Sequence, residues 1–503
     1  MSLLKKNITA NFVGSLWQAL MGLIFIPLYI KLIGIESWGL IGIFATLQAM
    51  FGLLDMGLSS TLNREMARMS ALPNKEQEMR NLVRTLEVLY WTIAIFVGMI
   101  VVSLSPFLAH HWIKAGQLSS QVIEQAFFIM GFVLALQMPI GFYSGGLMGL
   151  QRQVPLNVIN VGMSTLRGAG AAVILWLVSP TIQAFFLWQV IISIINIFLL
   201  KVFLWRELPS AQTKAVFEKQ LLKGNWRFAA GISGITILAV ILTQLDKVIL
   251  SKMLSLEMFG YYTLASTVAM SLTRIFTPVF YSIYPRFTQL VSTGEEERLK
   301  RLYHEGSQFM SVLILPIAIV IALFSYEILL LWTKNPIMTG KSYLLVSILT
   351  WGTALHGMMV LPYALQLASG WTSLSIYKNI IAVILLVPLI IVMTMHYGAK
   401  GGAIVWLILN MGYFFFEIPI VHQRLLRKEK WRWYWQDVCC PLSISLIIAG
   451  FGRLLLSRPL PQGMTVLYII GVFTLTATVT AITTPTTRAW IFKWRRDLVN
   501  GST

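Results

Sequence analysis

Apolar stretches of about 20 residues, the length a helix needs to cross a bilayer, follow one another along almost the whole chain. They are parted by short polar turns and predict fourteen spans: 11–33, 38–58, 86–107, 122–148, 156–178, 182–204, 228–250, 258–285, 307–332, 343–368, 374–396, 401–423, 438–457 and 464–484. The short alternating segments of a transmembrane barrel are missing, so the expectation is an all-α polytopic membrane protein. The first apolar run continues to Leu32 with no small-residue cleavage site, and predicts a first span rather than a removed leader.

Composition agrees. The 503 residues are 57% hydrophobic and 12% charged, about half the charge of a soluble domain. Formal net charge is +19, which in a soluble chain suggests nucleic acid. Its location points elsewhere. With the N-terminus placed in the cytoplasm, cytoplasmic segments hold 28 of the 39 Lys and Arg residues, Arg152 and Lys378 at short loops among them. External segments hold eight, and Arg167, Lys247 and Arg274 lie inside spans. This asymmetry predicts an even number of spans with both termini cytoplasmic. Most of the positive charge then orients the chain and meets anionic phospholipids, with no nucleic-acid partner.

The chain also repeats. At an offset of 221, KLIGIESWGLIGIFAT from Lys31 matches KMLSLEMFGYYTLAST from Lys252, pairing Glu36 with Glu257 and Gly39 with Gly260. A repeat of six helices is even, so both copies cross in the same direction, about an axis along the membrane normal. The predicted organisation is an N-lobe (1–205), a cytoplasmic amphipathic linker (206–227), a C-lobe (228–430), and a last helix pair with a basic tail (431–503). In the linker, Val216, Phe217, Leu221 and Leu222 stand among Lys214, Lys219 and Lys223, a pattern for a helix lying on the membrane surface. The segment 424–437 and the tail mix Trp with Arg and Lys, as headgroup-level anchors do.

The candidate chemistry is the intramembrane charge. A charge at mid-bilayer costs about 2.5–3.5 kcal/mol on insertion scales, so Arg274, Asp246 and Lys247 call for a wet cavity. Arg274 keeps its proton and grips phosphate with paired hydrogen bonds, making it the leading anion-binding candidate; a snorkelling or paired arginine is the bland alternative. Asp246 and Lys247 are adjacent, about 100° apart on a helix, and each is expected to meet a partner on another helix. For Asp246 that is a structural ion pair; Lys247 either lines the cavity or binds a carboxylate. Arg167 either lines the cavity or snorkels. Asp55 and Arg64, at the cytoplasmic end of the second span, form either a latch or a solvated helix end. Glu417 lies deep enough to titrate in a proton-coupled cycle.

Other features carry less. Gly141, Gly145 and Gly149 form a helix-packing stripe. Glu124 and Glu327 are expected to be exposed or capping, and His356 to be a packing residue. His110 and His111 are a poor metal signal, and no metal site is expected. Cys439 and Cys440 are neighbours, unsuited to an ordinary disulfide. TGKS at 339–342 lacks the first glycine of a phosphate loop, since Asn335 stands there.

The LDMGL…LNRE end of the second span and QLDKVIL…EMFGYYTLA across the seventh and eighth, set in a 6 + 6 + 2 pattern, resemble the polysaccharide-repeat (O-antigen) flippases of the multidrug/oligosaccharidyl-lipid/polysaccharide exporter superfamily. The resemblance implies V-shaped lobes, as in the MATE transporters, around a cationic central cavity in a bacterial inner membrane. It implies alternating access for an undecaprenyl-pyrophosphate-linked oligosaccharide, with Arg274, Lys247 and Arg167 meeting its anionic groups. It also implies contact with other polysaccharide-assembly proteins. The lipid II flippase relatives have an arginine–aspartate pair in their first helix, where this chain has only Gln18 at depth, which argues against that branch. No cofactor is expected beyond a coupling H+ or Na+. Two other functions compete: a cation-coupled multidrug exporter, which needs exposed carboxylates, and a membrane polysaccharide polymerase or ligase. The latter needs a large external loop with catalytic Arg or His, and the longest one, about 108–121, offers only His110, His111 and Lys114. The expectation is a transporter, not an enzyme.

Overall fold

The computed structural model describes residues 3–55, 57–211, 213–456 and 460–489, with side chains for all of these except 3–9, 222–236, 238 and 239. The described residues are helical, without a strand among them. Among the described residues, eleven helical stretches are long and apolar enough to cross a membrane. The other three predicted spans are the first, seventh and eighth. The first holds a shorter apolar helix over Ala10–Ile24, much of the seventh lies outside the described side chains, and the eighth is broken in two. The basic tail beyond residue 489, and the side chains of Leu222 and Lys223 of the linker, also lie outside the description.

The chain divides into two compact units, Met1–Gly260 and Tyr261–Thr503. In the first, α1 (Leu3–Ile24) and α2 (Ile26–Phe51) are followed by a 3-10 turn and α3 (Leu58–Met69). The junction between the first two predicted spans falls inside α2 at Gly34, where φ is 81° and the helix breaks; only glycine takes that conformation without strain. Then come α4 (Glu76–Phe107), α5 (Ser120–Gly149), α6 (Gln153–Leu177), α7 (Ile182–Glu207) and α8 (Lys219–Met253). Ser119 and Thr181 start α5 and α7 by accepting from the N–H groups of Val122 and Ala184, each at 3.3 Å. Leu62, Met66, Leu82, Tyr90, Phe142 and Leu200 form the core. The glycine stripe of α5 is a packing seam, for a Cβ at Gly145 would stand 2.7 Å from the carbonyl oxygen of Ser59 on α3.

The linker differs from its expected form. The described residues of 208–218 contain no helix, and α8 starts at Lys219 and runs on into the seventh span. The linker spends its hydrogen bonds on α4 instead: the Val216 N–H donates to Asn81 Oδ1 (3.0 Å) and the Glu218 N–H to Thr85 Oγ1 (2.9 Å). Extended backbone must find such partners, and α4 supplies them.

At the end of unit one that the charge asymmetry assigns to the outside, the two copies of the repeated turn meet. A Cβ on Gly39 would lie 2.7 Å from the carbonyl oxygen of Leu256, and one on Gly260 closer still to that of Ile35. Those four positions are equivalent in the repeat, so the contact is reciprocal. The 113–118 loop clasps it. Glu36 accepts from the N–H groups of Gly116, Gln117 and Leu118 at 2.8–2.9 Å, while Lys114 O accepts from the Leu256 N–H at 2.7 Å. Trp112 donates to Ser251 at 3.0 Å. These bonds hold the end of α8 in the first unit, although the repeat assigns it to the C-lobe.

α9 (Leu256–Met270) crosses from the first unit to the second. The second continues with α10 (Thr273–Thr293), α11 (Glu296–Leu323), α12 (Ser325–Thr333), α13 (Pro336–Met358), α14 (Val360–Ala368), α15 (Ser373–Tyr397), α16 (Ala399–Gly412), α17 (Ile418–Leu425), α18 (Lys430–Arg432), α19 (Cys440–Leu455) and α20 (Gln462–Thr483). Phe276, Phe287, Tyr303, Ile314, Phe324 and Trp433 form its core. Trp433 is fully buried and donates to Ser307 at 3.2 Å, while Trp431 and Trp435 are exposed. The 424–437 segment is thus part anchor and part core.

Candidate functional site

The helix break in the eighth predicted span positions Arg274. Ser271 and Thr273 turn their hydroxyls back on the chain, donating to Val268 O and Met270 O at 2.7 Å each. Such bonds compete with the helical ladder, which at Ser271 and Leu272 tightens into a turn whose N–H groups donate to Val268 O and Ala269 O. Arg274 therefore stands in the first turn of α10, exposed, and among the described residues no carboxylate pairs with it. The N–H groups of Arg274 and Ile275 are taken by Ser271 O and Leu272 O, so what is left to attract an anion is the guanidinium itself.

Arg167 sits mid-way along α6, about 21 Å from its start at 1.5 Å per residue. It is half-buried, and no described carboxylate pairs with it. Lys247 on α8 borders a cavity of about 180 Å³ with Thr46, Trp112, Phe127 and Ser251. Its ammonium donates to Thr243 O at 2.9 Å and lies 3.6 Å from Asp246 Oδ1. The two neighbours, expected each to meet a partner on another helix, also meet each other: lysine's four-carbon stem curls back far enough to reach the adjacent carboxylate.

Asp55 and Arg64 are not joined by an ion pair. Asp55 accepts from the Ser59 hydroxyl at 2.5 Å, and that hydroxyl also meets Tyr90 OH at 2.7 Å. Arg64 pairs with Glu65 at 2.6 Å; both line a cavity of about 570 Å³ with Arg68, Glu78 and Leu221.

Glu417 is buried and accepts from Lys378 at 2.5 Å. Lys378 lies over the rings of Tyr413 (4.8 Å) and Tyr363 (5.5 Å). The charge asymmetry counted Lys378 as a loop residue; it is instead a largely buried partner of an acid, because α15 begins at Ser373 and carries it inward. The other oxygen of Glu417 is buried without a hydrogen-bond partner.

Two further buried networks escaped the sequence reading. Glu87 on α4 meets Lys201 (3.1 Å), Arg84 (3.0 Å) and Tyr143 OH (2.6 Å). His304 on α11 contacts Asp437 at 2.5 Å and Glu429 at 3.0 Å, and Gln308 donates to Asp437 at 2.9 Å. Glu327, expected to be exposed or capping, pairs with Arg453 at 2.5 Å. The signal lay in acids near helix ends, which pattern alone reads as solvated. No cluster of metal-ligating side chains occurs among the described residues.

The sequence profile described as Polysaccharide biosynthesis protein matches residues 4–291, more than half of the chain. The chain belongs to this family. A Shigella flexneri protein named "Putative O-antigen transporter" is 19% identical over 406 residues, covering 80% of this chain and 93% of that one. The fold is shared with an inward-facing multidrug resistance MATE family transporter of the MOP superfamily, with a TM-score of 0.70, 14% identity, and coverage of 81% of this chain and 94% of that one. It is shared also with the lipid II flippase MurJ in an inward closed conformation, at TM-score 0.61 and 12% identity, over 98% of this chain and 99% of that one. This family member is thus a multi-pass membrane protein built as those exporters are, and these relatives move molecules rather than catalyse reactions.

Proposed function

We propose that the protein is a flippase that carries an undecaprenyl-pyrophosphate-linked oligosaccharide repeat unit from the cytoplasmic to the periplasmic leaflet of a bacterial inner membrane, by alternating access. Arg274, Lys247 and Arg167 hold the anionic headgroup. One observation carries the reading: the deep acids have basic partners while deep arginines do not. Glu417 is paired with Lys378 and Glu87 with Lys201; Arg274 and Arg167 pair with no described carboxylate, while Lys247 is proposed to join them from beside Asp246. Cations left uncompensated at membrane depth need an anionic ligand. A cation-exporting site needs the reverse, which ranks the multidrug reading second. The named relatives, a polysaccharide-family transporter and a lipid II flippase, support the same direction.

Both termini are proposed to be cytoplasmic, with H+ or Na+ as the coupling ion and Glu417 as the candidate proton carrier. The test is complementation of surface polysaccharide in a deletion strain, together with binding of undecaprenyl pyrophosphate to the purified protein. Replacing one charge-assisted contact by Arg274→Ala should weaken binding by about 10- to 100-fold. Unchanged binding and full complementation by an Arg274→Ala/Lys247→Ala double variant refutes the assignment. Drug hypersusceptibility of the deletion strain with intact glycans favours the exporter instead.

A further inference from the structure

The exposed stripe of α10 goes further than its single arginine. Arg274, Thr277, Pro278, Tyr281, Pro285 and Thr288 recur at helical spacing and are exposed, while Phe276, Phe287 and Leu290 on the opposite face are buried in the core of the second unit. The exposed face of a spanning helix is expected to be apolar where it meets lipid; this one is cationic, hydroxylic and aromatic. Seven residues separate Arg274 from Tyr281, which returns the side chain to the same face about 10 Å along the axis.

Tyr281 has a built support. The residue is 69% exposed, and its ring makes an edge-to-face contact with that of Phe280 at 5.4 Å and 82°. Phe280 itself stacks with Tyr284 (5.5 Å, 3°) and with Tyr363 (6.1 Å, 21°). Tyr281 is thus largely open to its surroundings and joined through Phe280 to a run of aromatic contacts.

The backbone adds a second, independent feature. Pro278 and Pro285 have no N–H, so the carbonyls four residues before them lose their helical donors. Those carbonyls belong to Arg274 and Tyr281. No side-chain donor among the described residues takes the place of either; the Thr277 and Thr288 hydroxyls donate instead to Thr273 and Tyr284. The stripe thus offers a cation, a flat aromatic face and two acceptor-only groups. A ligand that satisfies all of these carries an anion, a ring with an apolar C–H face and several hydroxyl donors.

We propose that this stripe is a saccharide-binding surface: Arg274 takes the phosphate, Tyr281 stacks against the first pyranose ring, and the carbonyls of Arg274 and Tyr281 accept its hydroxyls. The inference rests on the flippase reading and names what the headgroup site recognises beyond charge. Its test compares two probes on the full-length purified protein: undecaprenyl pyrophosphate, and undecaprenyl pyrophosphate bearing N-acetylglucosamine. The unsubstituted protein should bind the sugar-bearing lipid about 3- to 10-fold more tightly, the scale of one stacking contact. Tyr281→Ala should abolish that preference and leave affinity for the bare lipid unchanged, while Tyr281→Phe keeps the preference. Pro285→Ala, which restores the helical bond to the Tyr281 carbonyl and favours folding, should reduce the preference as well. Arg274→Ala should weaken both probes alike. A sugar preference that survives Tyr281→Ala, or none in the unsubstituted protein, overturns the inference while leaving the flippase reading standing. Failure to bind either lipid overturns both.

Discussion

Lys378 and Glu417 show how an ionisable pair is kept inside a membrane helix bundle. The ammonium is bound at 2.5 Å and shielded by two tyrosine rings, so neither charge meets lipid unscreened. Removing one partner of such a pair strands the other. Lys378→Ala should therefore destabilise the protein by about 3–5 kcal/mol, and the double variant Lys378→Met/Glu417→Leu should recover much of the loss. Thermal unfolding in detergent measures both, and equal stability of the single and double variants refutes the account. Glu417→Gln keeps the shape but removes the titrating group. If Glu417 carries the coupling proton, that variant should still bind lipid while its flipping no longer responds to a proton gradient, as read in proteoliposomes with and without a protonophore. At this scale the sequence was only partly informative. It singled out Arg274 and Glu417 because each stands in apolar text. It misplaced Lys378 and missed the Asp437–His304 network, because a charge near a span end looks the same whether it faces water or a neighbouring helix.

Two helix interruptions set the course of the chain. The break at 271–272 places Arg274 in the first turn of α10, and the break at Gly34 turns the chain between the first two spans. Beyond that turn, Gly39 and Gly260 let the repeated segments cross with backbone against backbone. Gly260→Val places a side chain where the Ile35 carbonyl lies, at a cost of about 1–3 kcal/mol to the crossed arrangement. A cysteine at the buried Thr46 position, in a Cys439→Ser/Cys440→Ser background, should then react several-fold faster with a membrane-impermeant maleimide, since about 1.4 kcal/mol is a tenfold shift in population. An unchanged labelling rate refutes the crossing as what keeps Thr46 covered. The repeat was readable from the two aligned turns, including the glycine pair. The clasp by Glu36 was not, because its three partners are backbone N–H groups of a loop some 80 residues away, and nothing in a hydropathy pattern reports them.

Orientation belongs to the whole molecule. A fluorescent protein fused after Thr503 should be bright, and alkaline phosphatase fused after Gln117 active, if the termini are cytoplasmic; the opposite pair of signals reverses every side assigned above. What the sequence determined by itself was the class: long apolar runs have no soluble solution, backbone hydrogen bonds must close within each run, and the basic residues cluster by side. Those are local or additive properties, so they survive without a fold. The tertiary structure decided which charges are neutralised, where the eighth span breaks, and that the end of α8 is held within the first unit. Each depends on which residues far apart in the chain come within a few ångströms of each other, where a partner at 3 Å outweighs any average along the sequence.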